Sequence, residues 1–253
     1  MIAISHYMVE LGGDIAISFV LVSVLLIVSL SKDLLDRGGI FAALFVGLVI
    51  SILGHWTWLM VLMTFLIVGS LATKWRFEEK MKISAEEAND GVRGWKNVLA
   101  NGGMASIVAI GNYLAGGHDW SYFLLCSAVS VAASDTLASE IGSLDPRTRI
   151  ITTLEAVPAG TNGGMSPTGT LAAFYGALLI AVVSTILGAY NGDRTPTVLF
   201  FSSVIAIGWV GCQVDSILGA LLENRGFLGK HSVNFLATLS GSLMALAVAS
   251  NFL

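Results

Sequence analysis

The chain has 253 residues, of which 55% are hydrophobic and only 12% charged. A soluble domain carries about 25% charged residues, so the composition excludes one and points to an integral membrane protein, with residues 1–253 expected to form a single domain. The net charge of -4 is small, and no nucleic-acid partner is expected.

No secretory signal is expected, since the first ten residues lack a basic stretch before an apolar core. A bilayer span needs about 20 mainly apolar residues. In chain order such segments fall at 13–30, 38–54, 56–73, 98–116, 120–142, 168–190, 197–223 and 232–252. Backbone groups in lipid must be satisfied within the chain, which favours helices, and the alternation of a membrane β-barrel is absent. The expected fold class is therefore all-α: a polytopic helical bundle of about eight transmembrane helices.

Lys32 and Arg37 follow the first span. Lys74, Arg76, Lys80, Lys82, Arg93 and Lys96 lie in a connector at 74–97, whose mixture of Trp75, Phe77, Met81 and Ile83 with charges suggests a short interfacial helix. Arg147 and Arg149 follow the fifth span, and Arg225 and Lys230 the seventh. Only Arg194, of thirteen basic residues, falls on the other side. The positive-inside rule then places both termini outside and these loops in the cytosol. Cys126 and Cys212 sit in apolar runs and read as buried thiols.

The polar residues inside or beside the spans gather on the same side. Asn97 and Asn101 open the fourth span. Asp135, Ser139 and Glu140 close the fifth. Asp135 and Ser139 share a helix face, whereas Glu140 points elsewhere on a regular helix. A loop at 143–167 follows, with Gly160, Thr161, Asn162, Gly163, Gly164 and Ser166. Asp215, Ser216 and Glu223 close the seventh span, with Asp215, Gly219 and Glu223 on one stripe. His231 and Asn234 open the eighth, and the Asp-Thr-Leu of 135–137 is weakly echoed by the Asp-Ser-Ile of 215–217.

A carboxylate at mid-bilayer depth costs roughly 2.5–3.5 kcal/mol on insertion scales, so Asp135, Glu140 and Asp215 are functional candidates. Carboxylate and phosphate oxygens together are what Mg²⁺ binds. Glycines let backbone N–H groups approach an anion, although the loop lacks a P-loop ending and an Asn-Gly turn is an equally simple reading. Arg93 and Lys96 supply cations, and His231 is a candidate for supporting hydrogen bonds. Hydrogen bonding of Asp135 and Asp215 to neighbouring helices is the alternative.

Four runs carry a family resemblance: Arg93-Gly94-Trp95-Lys96-Asn97-Val98-Leu99-Ala100-Asn101-Gly102, Ser134-Asp135-Thr136-Leu137-Ala138-Ser139-Glu140-Ile141-Gly142, Gly160-Thr161-Asn162-Gly163-Gly164-Met165-Ser166 and Asp215-Ser216-Ile217-Leu218-Gly219-Ala220. Together they resemble the transmembrane protein 19 family, which includes phytyl-phosphate kinase, over roughly residues 30–253. Ser134, and Gln213-Val214 before Asp215, depart from its pattern. The resemblance implies a CTP-dependent kinase that converts an isoprenyl phosphate, such as phytyl or geranylgeranyl phosphate, into the diphosphate at the cytosolic membrane face. Asp135, Glu140 and Asp215 are then expected to hold Mg²⁺. Gly160–Gly164, Asn97 and Asn101 would cradle phosphates, and Arg93 and Lys96 would neutralise the acceptor. A cytidylyltransferase forming a CDP-lipid would use much the same residues, and an ion-coupled transporter is the alternative of a different class.

Overall fold

The computed structural model describes residues 2–82, 92–118, 120–191 and 197–252. Helices α1 (Ile2–Ser31), α2 (Arg37–Leu53) and α3 (Trp56–Lys74) are followed by the short α4 (Phe77–Lys82). Then come α5 (Trp95–Leu114), α6 (Ser121–Gly142), α7 (Pro167–Asn191), α8 (Thr197–Leu218) and α9 (Lys230–Phe252). The last turn of α8 widens into a π-helical turn, Gly219–Glu223. The eight long helices coincide with the eight expected segments, so the helical membrane bundle stands.

Not all eight are equally apolar. Among the described residues, six helices are long and apolar enough to cross a membrane by length and composition, and α2 is a shorter apolar helix. Helix α5 is not one of the six; Asn97, Asn101 and Asn112 interrupt its apolar sequence. Arg194 and Ile83 lie outside the described residues.

Helix α6 is the centre of the bundle and packs against α3, α5, α7, α8 and α9. The reason is side-chain size. Ser127, Ala128, Ser130, Ala132, Ala133 and Ser134 are all buried, and small residues let neighbouring backbones close in. A Cβ on Gly176 of α7 would sit 2.8 Å from the Ala133 carbonyl oxygen. On the opposite side, one on Gly241 of α9 would meet Val131. Hydrogen bonds cross between helices from Ser130 Oγ to the Val204 carbonyl (2.9 Å) and from Ser242 Oγ to the Leu124 carbonyl (3.2 Å). Large apolar residues such as Phe41, Phe45, Ile186 and Val198 remain exposed on the perimeter, as expected of a surface wetted by lipid rather than water.

Ends of several helices meet at one end of this bundle. The Lys74 ammonium donates to the Lys32 carbonyl, and Leu35 pairs with Arg93 in a single parallel bridge. The Lys80 ammonium lies 2.6 Å from Glu140 Oε2. Lys32, Lys74, Lys80 and Arg93 therefore lie at this end of the bundle. Within the connector, α4 has one buried and one exposed side. Trp75 and Met81 are exposed, but Lys80 is fully buried. Its ammonium donates to the carbonyls of Ala72 (3.0 Å) and Thr73 (2.7 Å) and so closes the C-terminal end of α3.

Candidate functional site

The loop between α6 and α7 is a small folded unit. Residues Arg149–Ile150 pair antiparallel with Gly164–Met165, as β1 and β2, which the all-α reading did not anticipate. Its two ends are fastened differently. At the α7 end, Ser166 precedes Pro167, and its hydroxyl accepts from the Gly169 N–H (3.1 Å) while donating to the Gly142 carbonyl (3.3 Å). This is an N-cap with proline at the first helical position. The buried Asp145 carboxylate adds a second fastening, accepting from the Thr168 N–H (3.2 Å) and hydroxyl (2.6 Å) and from both Nε and Nη2 of Arg147 (each 2.9 Å).

That arrangement, with the Arg147 guanidinium as the largest influence and the Thr168 hydroxyl next, holds the Asp145 carboxyl well below the usual carboxylate range. A depressed folded-state pKa gives stability that is present above the unfolded value, about 3.9, and is lost as pH falls below it. Asp145→Asn is therefore expected to lower the thermal midpoint near pH 7, and the difference from wild type should shrink steadily as the pH drops below about 4. A difference independent of pH would assign Asp145 no role as an anion.

At the other end the loop docks on the π-helical turn. Asn224 Nδ2 donates to the Asn162 carbonyl (3.0 Å). Gly163 has φ +75°, and a Cβ there would lie 2.6 Å from Ala220 Cβ and 2.7 Å from the Ser216 carbonyl. Only glycine fits both the conformation and the space. Gly163→Val should cost about 1–3 kcal/mol and free the loop. Faster tryptic cleavage at Arg147 or Arg149 checks this, and unchanged protection would contradict it.

Under the loop lies a cavity of about 300 Å³. Asp135, Ser139 and Glu140 of α6 line it, with Gly160, Thr161, Asn162, Gly163, Gly164 and Ser166 of the loop, Asp215, Ser216 and Glu223 of α8 and its π-turn, and Asn234 of α9. Residues from four separate runs of sequence thus meet in one place. The Asp135 and Asp215 carboxylates lie side by side, close enough to interact directly. Two carboxylates in contact repel unless a proton or cation lies between them. Asp215 Oδ2 is buried with no hydrogen-bond partner, an arrangement that suits a hard cation. The widened turn at Gly219–Glu223 is a distortion often found at functional sites.

Five expected site residues lie elsewhere. The Arg93 side chain is buried over the Phe65 ring (5.4 Å) and beside Gly69. With Asn97 and Asn101 it lines a separate narrow pocket of about 40 Å³ among α1, α2, α3 and α5. Asn101 Nδ2 donates to the Asn97 carbonyl (3.0 Å). Lys96 is exposed over the Trp95 ring (5.7 Å). His231 adjoins the cavity in sequence but does not line it.

Glu140 lines the cavity without joining Asp135. Its Oε1 accepts from the Thr73 hydroxyl (2.7 Å) and its Oε2 from Lys80 (2.6 Å). The five-residue step from Asp135 turns it toward α3 and α4. Among the described residues no three His, Cys, Asp or Glu are grouped so as to hold a metal ion; of the expected trio, the structure brings Asp135 and Asp215 together and turns Glu140 toward Lys80. Conversely, Lys230, Thr148 and Gln213 line the cavity without having been anticipated. Lys230 stands four residues before Asn234, a helical spacing that put it on the same face; Thr148 and Gln213 gave no such signal.

Comparison with known proteins relates the chain to a family of membrane proteins. The family described as integral membrane protein DUF92 matches residues 20–242. An uncharacterized membrane protein of Methanocaldococcus jannaschii is 31% identical over 233 residues, covering 92% of this chain and 93% of the relative. One from Synechocystis is also 31% identical, covering 86% and 83%. The chloroplastic protein VTE6 of Arabidopsis thaliana is 30% identical over 90% of this chain and 68% of its own length. No solved structure matches.

Proposed function

This chain belongs to the DUF92 integral membrane family, and from that premise we propose that it is a lipid-phosphate kinase. It would transfer the terminal phosphoryl group of CTP to an isoprenyl monophosphate, with the cavity under the glycine loop as its active site. One observation carries the reading: Asp135 and Asp215 lie side by side in the lining of a polar cavity roofed by glycines, and one Asp215 carboxylate oxygen is buried without a hydrogen-bond partner. The resemblance to a family that includes phytyl-phosphate kinase supplies the substrate class.

The two carboxylates would hold Mg²⁺, with phosphate oxygens and water as its remaining ligands, the usual condition for this ion. When bound, the ion neutralises charge on the nucleotide phosphates. The backbone of Gly160–Gly164 with Ser139, Ser216 and Asn234 orients the triphosphate, and the Lys230 ammonium offsets charge beside Glu223. The acceptor phosphate needs no general base, because its second pKa is about 6. An acceptor oxygen bonds to the γ-phosphorus, the bond from that phosphorus to the β–γ bridging oxygen breaks, and CDP leaves. Positioning and electrostatics carry the reaction. The positive-inside rule assigns this end of the bundle to the cytosol.

Purified protein is incubated with Mg²⁺, labelled CTP and phytyl or geranylgeranyl monophosphate. CDP and a lipid diphosphate are expected. Pyrophosphate with a CDP-lipid would replace the kinase by a cytidylyltransferase using the same cavity. No turnover with any nucleotide, with wild type matching Asp135→Asn, would overturn both.

A further inference from the structure

An apolar groove of about 740 Å³ runs beside the cavity, between the start of α7 and the middle of α8. Leu171 and Phe174 of α7 and Trp209 of α8 form its wall, and they are 55%, 40% and 38% exposed. These helices are long and apolar enough to span, so the wall opens sideways toward lipid. The groove and the cavity share Met165, Ser166 and Thr170 as lining. They are two sides of one partition.

Charge is placed at the groove's polar end only. Arg147 and Arg149 line it there. Strand pairing sets Arg149 opposite Met165, so the arginine is held beside the partition. Its Nη1 donates to the Leu154 carbonyl (2.8 Å), and a guanidinium has five N–H donors in all. The Arg147 side chain is paired with Asp145 on one edge and 68% exposed. Leu154 is itself unusual, at φ +59° and 59% exposed. A leucine rarely adopts the left-handed region. The loop holds it there while presenting an apolar side chain on the groove wall beside the two arginines.

The geometry points to this groove as the docking site of a single-chain lipid monophosphate, its chain along Leu171, Phe174 and Trp209 and its phosphate at Arg149 and Arg147. The occupant follows from complementarity. A hydrocarbon chain suits the wall, an anionic head suits the paired guanidinium groups, and the shared partition sets that head next to the nucleotide cavity. The substrate would enter sideways from the bilayer without leaving it. This inference rests on the kinase reading for the identity of the acceptor.

Its test is kept separate from catalysis. Full-length protein in lipid nanodiscs is irradiated without nucleotide in the presence of geranylgeranyl monophosphate bearing a diazirine on its chain, and adducts are mapped by mass spectrometry. Adducts are expected on the 170–174 segment and around Trp209, suppressed by unmodified geranylgeranyl monophosphate and at least tenfold weaker with the corresponding alcohol. In the kinase assay, Arg149→Gln should raise KM for the lipid phosphate about tenfold and leave KM for CTP unchanged. Adducts confined to other helices, or equal labelling by the alcohol, overturn the groove even where turnover is found. Adducts at the groove without any turnover would retain it and discard the kinase.

Discussion

Asp215→Asn is expected to lower Mg²⁺-dependent transfer by roughly 100- to 1,000-fold, the usual effect of removing one preorganised charge-stabilising group. At the same time, the thermal midpoint of metal-free protein should stay level or rise. The pairing of opposite signs is the diagnostic part. Asp215 touches Asp135, and one of its oxygens is buried without a partner. A neutral amide removes the like-charge contact and can donate to the Asp135 carboxylate. A group retained for catalysis at the expense of stability behaves in this way. A fall in the midpoint alongside the loss of transfer would make Asp215 a structural residue and withdraw the assignment of the metal site.

Glu140→Gln should have the opposite profile, with a loss of stability of about 3–5 kcal/mol. It leaves the Lys80 ammonium, which is fully buried, without its counter-charge. Replacing both partners, as Lys80→Met with Glu140→Leu, should recover most of that loss, since a buried ion pair exchanged for apolar packing is often neutral. The Thr73 hydroxyl keeps an acceptor in the Gly69 carbonyl (3.0 Å). Unfolding in mixed detergent micelles of the two singles and the double measures the coupling. A stable Glu140→Gln protein that has lost transfer would return Glu140 to the metal site beside Asp135.

These two carboxylates mark how far the sequence could be read. Apolar run lengths located eight helices, to within a few residues except at the start of α1, which begins at Ile2 rather than at 13, because a bilayer imposes one length and one polarity on every span. The basic loops gave which helix ends meet, and Asp135, Asp215 and the glycine loop followed from that. What sequence could not supply was direction around each helix axis. Glu140 and Asp135 are close along the chain but face different neighbours. Arg93 and Asn97 lie at the correct end but open into another pocket, because α5 packs on α2. Lys80 looked like one more solvated charge and proved to be the most deeply buried cation described. The π-turn also changed the angular step between Gly219 and Glu223, which a regular 3.6-residue period cannot foresee.

The small-residue seams along α6 have a mechanical consequence. A carrier needs at least one element that slides or rocks past its neighbours to expose a site first on one side and then on the other. Helix α6 is gripped at backbone distance from two opposite flanks, with 89% of its apolar window buried. Such seams are specific in register, so shifting them by one turn would drive Val131 or Ala133 into the main chain of a neighbour. The mast of the bundle is thus a fixed part. A transport cycle would have to move its other helices around that fixed part, past the same close contacts.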